Sequence, residues 1–163
     1  AHLLLKSNLY GEHYIDGQRV SKGTVINFFV SRALDGEPLT VYAPGTQSRN
    51  YIHVDDVARA YVRSAEQLLE QLAADETGVK KFEIASDEDP SVQAVAERVQ
   101  AIAAEERNEH VEVTTVENPR GDDETLVEEF SVDTSKTHSV LGWEPHHTVE
   151  QSIRSQLKPD TEE

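Results

Sequence analysis

The chain has no cysteine and no methionine among its 163 residues. Without thiols there can be no disulfide framework, iron–sulfur cluster or thiolate zinc site. Positive charge is also scarce. Fifteen Lys and Arg stand against 31 Asp and Glu, a formal net charge of −16. Such a chain repels phosphate backbones and anionic headgroups, which argues against nucleic acid and membrane surfaces as partners. No apolar run approaches the roughly 20 residues that span a bilayer, and no signal-peptide pattern opens the sequence, so a cytoplasmic setting is expected.

Chemical motifs are missing too. No two glycines stand in a G-x-G or G-x-x-G relation, so there is neither a dinucleotide fingerprint nor a Walker loop. No tyrosine is followed four residues later by lysine, and there is no G-x-S-x-G elbow. His146 and His147 are adjacent and not at the i, i+4 spacing that puts two ligands on one helix face, so a solvated loop is expected there, with no metal site. Glu105-Glu106 and Glu128-Glu129 read as solvated faces and not as an acid/base pair. Taken alone, the chain carries no self-contained catalytic apparatus. The absent initiator methionine and the opening inside the apolar run Leu3-Leu4-Leu5 lead us to expect a piece of a longer protein.

What is present is a regular alternation. Leu3–Ser7 reads as a buried strand, followed by a polar loop from Asn8 to Gly23 with turn residues at Gly11 and Asp16-Gly17. Apolar residues at helical spacing run from Thr24 to Leu34 and stop at Gly36 with Pro38 beyond. Leu39–Tyr42 and Asn50–His53 are strands around the turn at Pro44-Gly45. Asp55 or Asp56 is expected to cap a long helix whose apolar stripe is Val57, Ala60, Tyr61, Ala65, Leu68, Leu69 and Leu72. Lys81–Ala85 is a strand, and Ser91 caps the helix through Ala103. Val111–Val116 alternates as a strand, and Asn118–Glu129 is a polar loop. Asp133 caps a short helix through Leu141, and Thr148-Val-Glu-Gln151 is a capping box opening the last one. Strands alternating with helices give an α/β architecture.

Four segments, in order, resemble the second half of the extended short-chain dehydrogenase/reductases, the NAD-dependent epimerase/dehydratase family acting on nucleotide sugars. Lys6-Ser-Asn-Leu-Tyr-Gly11 is similar to the family's strand-end (S/F)-N-x-Y-G. The stretch from Ala33 to Tyr42 and on through Arg49-Asn-Tyr-Ile-His-Val-Asp-Asp-Val-Ala-Arg-Ala60 resembles G-x-x-x-R-D-[YF]-x-x-V-x-D-x-A, the most specific match. Phe82–Ser86 resembles the final sheet strand, and Val132-Asp-Thr-Ser-Lys136 with Leu141-Gly-Trp-Glu-Pro145 resembles the D-x-S-K … L-G-W-x-P tail.

The resemblance implies a Rossmann-type α/β fold of which this chain is the C-terminal, substrate-binding portion. Residues 1–8 would close the Rossmann half, 9–158 would form the substrate-binding region with 81–85 returning to the sheet, and 159–163 would be a frayed tail. The glycine-rich fingerprint and Tyr-x-x-x-Lys pair would then lie upstream, and the 163 residues alone would be inactive. Implied ligands are a nucleotide-diphosphate sugar and NAD, the latter held mainly by the upstream half. Implied assembly is a homodimer of the whole enzyme.

Site residues follow by the same route. Arg49 matches the diphosphate arginine, and a guanidinium can clamp phosphate oxygens bidentately, which suits a binding cation in so acidic a chain. Tyr51 points to the same face, and Tyr42 matches an aromatic position near the base, with core packing an open alternative for both. Asn8 matches the asparagine that reaches towards phosphate or sugar, and Ser7 and Asn8 border the cofactor. Thr24 and Val25 match a substrate-lining stretch. His53 and Asp56 also match the family, but structural roles are preferred for them: a strand-end hydrogen bond and a helix start. Two departures stand out. Asn118-Pro-Arg-Gly-Asp122 replaces R-P-G-D, leaving Arg120 for phosphate and Asp122 for ribose, and Asn50 stands where the family has aspartate. A different reading of the same residues is a non-catalytic sensor or scaffold of this fold. The dispersed acid excess leads us to expect a protein adapted to a high-salt cytoplasm.

Overall fold

The computed structural model describes residues 1–21, 23–119, 121, 127 and 129–159. Arg120 and Asp122 lie outside them. The first strand, β1 (His2–Lys6), pairs in parallel with β7 (Lys80–Ile84). The chain then changes partner at Ser7: its N–H still donates to the Ile84 carbonyl (3.0 Å), but the Asn8 N–H donates to Asn50 (3.2 Å). From there β2 (Asn8–Tyr10) runs parallel to β6 (Tyr51–His53).

The segment 8–23, expected to be a loop, is built as three short strands. After β2 comes an antiparallel hairpin of β3 (Glu12–Ile15) and β4 (Gln18–Ser21). Its two-residue turn is Asp16-Gly17, both at positive φ, the geometry that matches strand twist in a tight hairpin. Arg19 pairs with Glu12 across it.

Helix α1 (Val25–Leu34) leads to β5 (Leu39–Tyr42), which pairs in parallel with β8 (Val113–Val116), two residues shorter than the alternation predicts. Between them lie α2 (Val54–Ala73), β7 and α3 (Val92–Arg107), and the chain closes with α4 (Ser135–Leu141) and α5 (Val149–Leu157). Ser91 and Thr148 cap α3 and α5 as expected, accepting from the N–H of Ala94 (3.1 Å) and Gln151 (3.2 Å). At α4 the flanking cap residue is Thr134, but the carboxylate of Asp133 still accepts the Ser135 N–H (2.9 Å).

Helix α2 departs from expectation twice. Its cap is His53, whose Nδ1 accepts the Asp55 N–H (3.2 Å), so Asp55 and Asp56 sit inside the first turn, where carboxylates suit the helix dipole. Its buried face is Val57, Ala60, Ser64 and Gln71, while Tyr61, Ala65, Leu69 and Leu72 are exposed. The reason is tertiary. His2 on β1 meets the Ser64 hydroxyl (2.9 Å) and the Gln71 amide oxygen (3.3 Å), which rotates the helix towards polar partners.

Two apolar clusters result. One joins α1, α3 and α5 over Leu39, Val41, Tyr10 and Tyr51. The other packs Trp143 and Leu141 against Ile52, Val57, Ala60, Phe82 and Ile84. The buried Trp143 indole donates to the Asp56 carbonyl (2.9 Å), which ties the Leu141–Pro145 stretch to the start of α2.

Candidate functional site

The C-terminal ends of β1 and β5 and the start of β2 open into one cavity of about 810 Å³, bounded also by the start of α1 and by the turn before β6. Ligands of open α/β folds gather at such strand ends. Lys6, Ser7 and Asn8 line it from the β1–β2 junction, Thr24, Val25 and Phe28 from α1, Tyr42 from β5, and Gln47, Arg49 and Tyr51 from the turn and β6. Asn118 and Pro119 reach it from the loop after β8. All of the sequence-derived site residues that are described (Ser7, Asn8, Thr24, Val25, Tyr42, Arg49 and Tyr51) therefore meet around a single space.

Alternation along the chain explains the placing of two of them. Successive side chains of an extended segment face opposite ways. Arg49 and Tyr51 line the cavity, and the intervening Asn50 is buried away from it. The Arg49 guanidinium is steadied by its own Nη1 donating to the Ser48 carbonyl (2.9 Å). Gly45, at positive φ, lies where a Cβ would come within 2.8 Å of Val41, so the turn that carries Gln47 and Arg49 stays close to β5 only with glycine there.

The electrostatic character of the cavity is opposite to that of the molecule. In a chain with 31 carboxylates, no acidic residue is among its described lining, while Lys6 and Arg49 both are. Its hydrogen-bonding capacity is also unspent. The buried oxygens Ser7 Oγ, Thr24 Oγ1, Gln47 Oε1 and Tyr51 Oη, all on lining residues, have no hydrogen-bond partner among the described residues. Buried polar atoms in folded proteins are nearly always paired, so four orphans around one space mark it as built for a polar ligand. Burial pushes the Tyr51 phenol up to about 12, against the lowering effect of nearby Arg49, so Tyr51 meets a ligand as a neutral hydroxyl.

Sequence reasoning missed Lys6, Gln47 and the aromatic wall at Phe28 and Phe29. For Gln47 a signal existed in its position two residues before Arg49, on the same face of an extended segment.

A second polar cluster sits at the C-terminal end of β6. Donor atoms of His53, Asp55 and His147 lie within 4.8 Å of one another. They do not fit a metal ion. The two imidazoles are stacked 4.1 Å apart and only 16° from parallel, whereas a ligated ion lies in the plane of each ring. His53 Nδ1 is committed to its cap, and its Nε2 faces Gly11, where even a Cβ would come within 2.2 Å. His147 Nδ1 stands 3.1 Å from the Asp56 carboxylate. Asp56 is fully buried and also accepts from Arg59 (2.7 Å) and from the backbone N–H of His146 (3.1 Å) and His147 (3.0 Å). This cluster holds the chain together, in keeping with the structural roles expected for His53 and Asp56.

Comparison with known proteins gives the same family. The pattern of the NAD dependent epimerase/dehydratase family matches residues 2–76. UDP-glucuronic acid decarboxylase 6 of Arabidopsis thaliana is 32% identical over 138 residues, which is 85% of this chain and 34% of the relative. A dTDP-glucose 4,6-dehydratase of Haemophilus influenzae is 28% identical over 160 residues, covering 93% of this chain and 42% of the relative. The chain thus spans well under half the length of the curated relatives it matches. Among solved structures, UDP-glucose 4-epimerase from Bifidobacterium longum in complex with NAD+ and UDP superposes with a TM-score of 0.71 at 22% identity, over 96% of this chain and 46% of that one, which establishes the shared fold. Over residues 2–76 the chain is similar in sequence to the NAD-dependent epimerase/dehydratase family, and it shares the Rossmann-type α/β fold of that solved epimerase.

Proposed function

We propose that this chain is the nucleotide-sugar-binding portion of an NAD-dependent nucleotide-sugar epimerase or 4,6-dehydratase. The observation that carries the reading is the cavity itself: its described lining has no acidic residue, two cations and four buried oxygens without a partner among the described residues, in a protein of net charge −16. A nucleotide sugar presents a dianionic diphosphate, a flat base and a ring of hydroxyls, and the lining offers a counterpart to each. The Arg49 guanidinium clamps the diphosphate. Tyr42, half exposed at the end of β5, supplies a face for the base. Asn8, Thr24 and Gln47 exchange hydrogen bonds with hydroxyls, their amide and hydroxyl groups serving as donor or acceptor. Val25 and Phe28 give the apolar floor. In this reading Arg120 and Asp122 add to the nucleotide contacts.

The junction at Ser7 and Asn8 borders the cofactor, whose neutral hydroxyl and amide suit a nicotinamide ribose. NAD, when bound, supplies the hydride chemistry. The chain's own residues hold and orient the sugar nucleotide and wall it from water. The glycine-rich fingerprint and the Tyr-x-x-x-Lys pair, absent from these 163 residues, are assigned to an upstream half, so the chain alone binds without turning over. Residues 1–8 then complete that half and 9–158 form the substrate region. A cytoplasmic, salt-adapted homodimer completes the proposal. No helix of the described residues is long and apolar enough to cross a membrane.

Calorimetric titration with UDP-glucose and dTDP-glucose in molar salt tests the reading. The parent chain is expected to bind at least one of them. Arg49→Ala is expected to weaken that binding by one to two orders of magnitude, the scale of a lost charge-assisted hydrogen-bond pair, about 1.5–3 kcal/mol. Equal binding by parent and variant would refute the assignment of Arg49.

A further inference from the structure

Between the two cavity residues Arg49 and Tyr51 lies one that never touches the cavity. Asn50 is 1% exposed, and its side-chain amide meets the backbone of Ser86, just beyond β7, through both of its polar groups. Asn50 Nδ2 donates to the Ser86 carbonyl (2.7 Å), and the Ser86 N–H donates to Asn50 Oδ1 (3.2 Å). A carboxamide carries the same N–H and C=O pair as a peptide unit, so Asn50 takes the place of a strand residue opposite Ser86. It does so where the first strand changes partner from β7 to β6, a seam that would otherwise leave the Ser86 groups buried and unpaired. On the other side of the same residue, the Asn50 carbonyl accepts twice from Asn8, from its backbone N–H (3.2 Å) and from its side-chain Nδ2 (3.0 Å).

We propose that Asn50 is the positioning residue of the cavity. Its amide anchors the backbone to Ser86, its carbonyl fixes the orientation of Asn8, and the anchored backbone presents Arg49 and Tyr51 at a set distance from Asn8. Three cavity-lining side chains, from β2, β6 and the turn before β6, are thus registered by one buried amide. Aspartate, which the resembled motif has at this position, keeps the acceptor for the Ser86 N–H but not the donor to the Ser86 carbonyl. It would place a carboxylate oxygen against the Ser86 carbonyl oxygen, replacing an attraction with a repulsion in a buried site.

The test uses the whole chain, with Asn50→Asp as the near-isosteric variant and Ser86→Ala as a control that keeps both Ser86 backbone groups. Two readouts are taken at a temperature where circular dichroism shows every variant folded. The first is the resonance position and hydrogen exchange of the Asn8 backbone and side-chain amides. They are expected to shift and exchange faster in Asn50→Asp and to stay near parent values in Ser86→Ala. The second, resting on the functional reading above, is the Kd for the nucleotide sugar that the parent binds. It is expected to rise about tenfold in Asn50→Asp, the cost of a lost buried hydrogen bond, and to be unchanged in Ser86→Ala. A merely structural role would lower the melting temperature and leave the folded protein's Kd and Asn8 resonances alone, and that result overturns the proposal. Equal losses in both variants also overturn it, because the effect would then belong to the loop after β7. If Asn50→Asp does not fold, Asn50→Ser, smaller and neutral, replaces it under the same criteria. A parent chain that binds no nucleotide sugar defeats the functional reading, and the Asn8 resonances alone then decide the positioning role.

Discussion

Asp56 shows how one buried charge can organise a neighbourhood. It takes hydrogen bonds from Arg59 and from two consecutive backbone N–H groups, with the His147 ring nitrogen 3.1 Å away, so the fully buried carboxylate has partners on both oxygens. Burial alone would raise its pKa, but the bonds from Arg59, His146 and His147 outweigh burial and hold the carboxyl below the usual range. A carboxyl whose folded pKa is depressed stabilises the fold above its unfolded value, near 3.9, and the stabilisation is lost as pH falls through the folded value below that. Removing the carboxylate strands Arg59 and two backbone donors. Asp56→Ala is therefore expected to cost about 3–5 kcal/mol, read as a drop in the urea midpoint, with loss of the native Trp143 fluorescence at lower denaturant. A cost below about 1 kcal/mol would mean that the network is solvated.

At the scale of elements, α2 begins on an imidazole. As a cap acceptor, His53 must keep Nδ1 unprotonated, and its ring stacks on His147, so a proton there would both break the cap and place a charge against the face of a second imidazole. Burial lowers the His53 pKa first, the His147 ring adds to this, and the carboxylates of Asp55, Asp56 and Glu12 oppose it without reversing the direction. The unfolded chain consequently binds this proton more readily than the folded one. The contribution is complete above about pH 6.5 and declines as pH falls below it. Thermal melts of the parent should show that decline between pH 7 and 5. His53→Ser, which retains a cap acceptor without an ionisable ring, should flatten it, and an unaltered slope would exclude His53 as its source.

The same helix shows what can and cannot be read from sequence. Helices α3 and α5 were legible through their capping side chains, and α1 through its apolar spacing and its stop at Gly36. The position of α2 was legible, but its buried face was not. Leu68, Leu69 and Leu72 dominate the sequence pattern, whereas the packing is decided by His2, more than 60 residues away in sequence, reaching Ser64 and Gln71. The hairpin of β3 and β4 was missed because Glu12–Ile15 and Gln18–Ser21 are polar and short, although Asp16-Gly17 between them is the turn signal for such a hairpin. The described residues carried by the family resemblance line one cavity, whereas its other lining residues Lys6 and Gln47 are not singled out by the motifs.

For the whole molecule, the charge distribution separates two functions. Carboxylates are spread along the chain, and Arg154 on α5 bridges Glu105, Glu106 and Glu150 in one of the places where cations offset them. The described cavity lining contains none. Raising salt from 0.1 M to 1 M shortens the screening length from about 10 Å to about 3 Å, which relieves the mutual repulsion of surface carboxylates. The melting temperature of the chain is accordingly expected to rise steeply from dilute buffer to molar KCl. A midpoint already maximal in dilute buffer would remove salt adaptation from the account.

The central claim is that this space, whose described lining carries no acidic residue, is where a nucleotide sugar binds. Amide chemical-shift mapping in molar salt tests it most directly, by following every assigned resonance as UDP-glucose or dTDP-glucose is added. Saturable shifts are predicted for residues 6–9, 23–28 and 42–51, on the three walls of the cavity. No saturable shift with either ligand, or shifts centred instead on the groove beside His138 and Trp143, would contradict it.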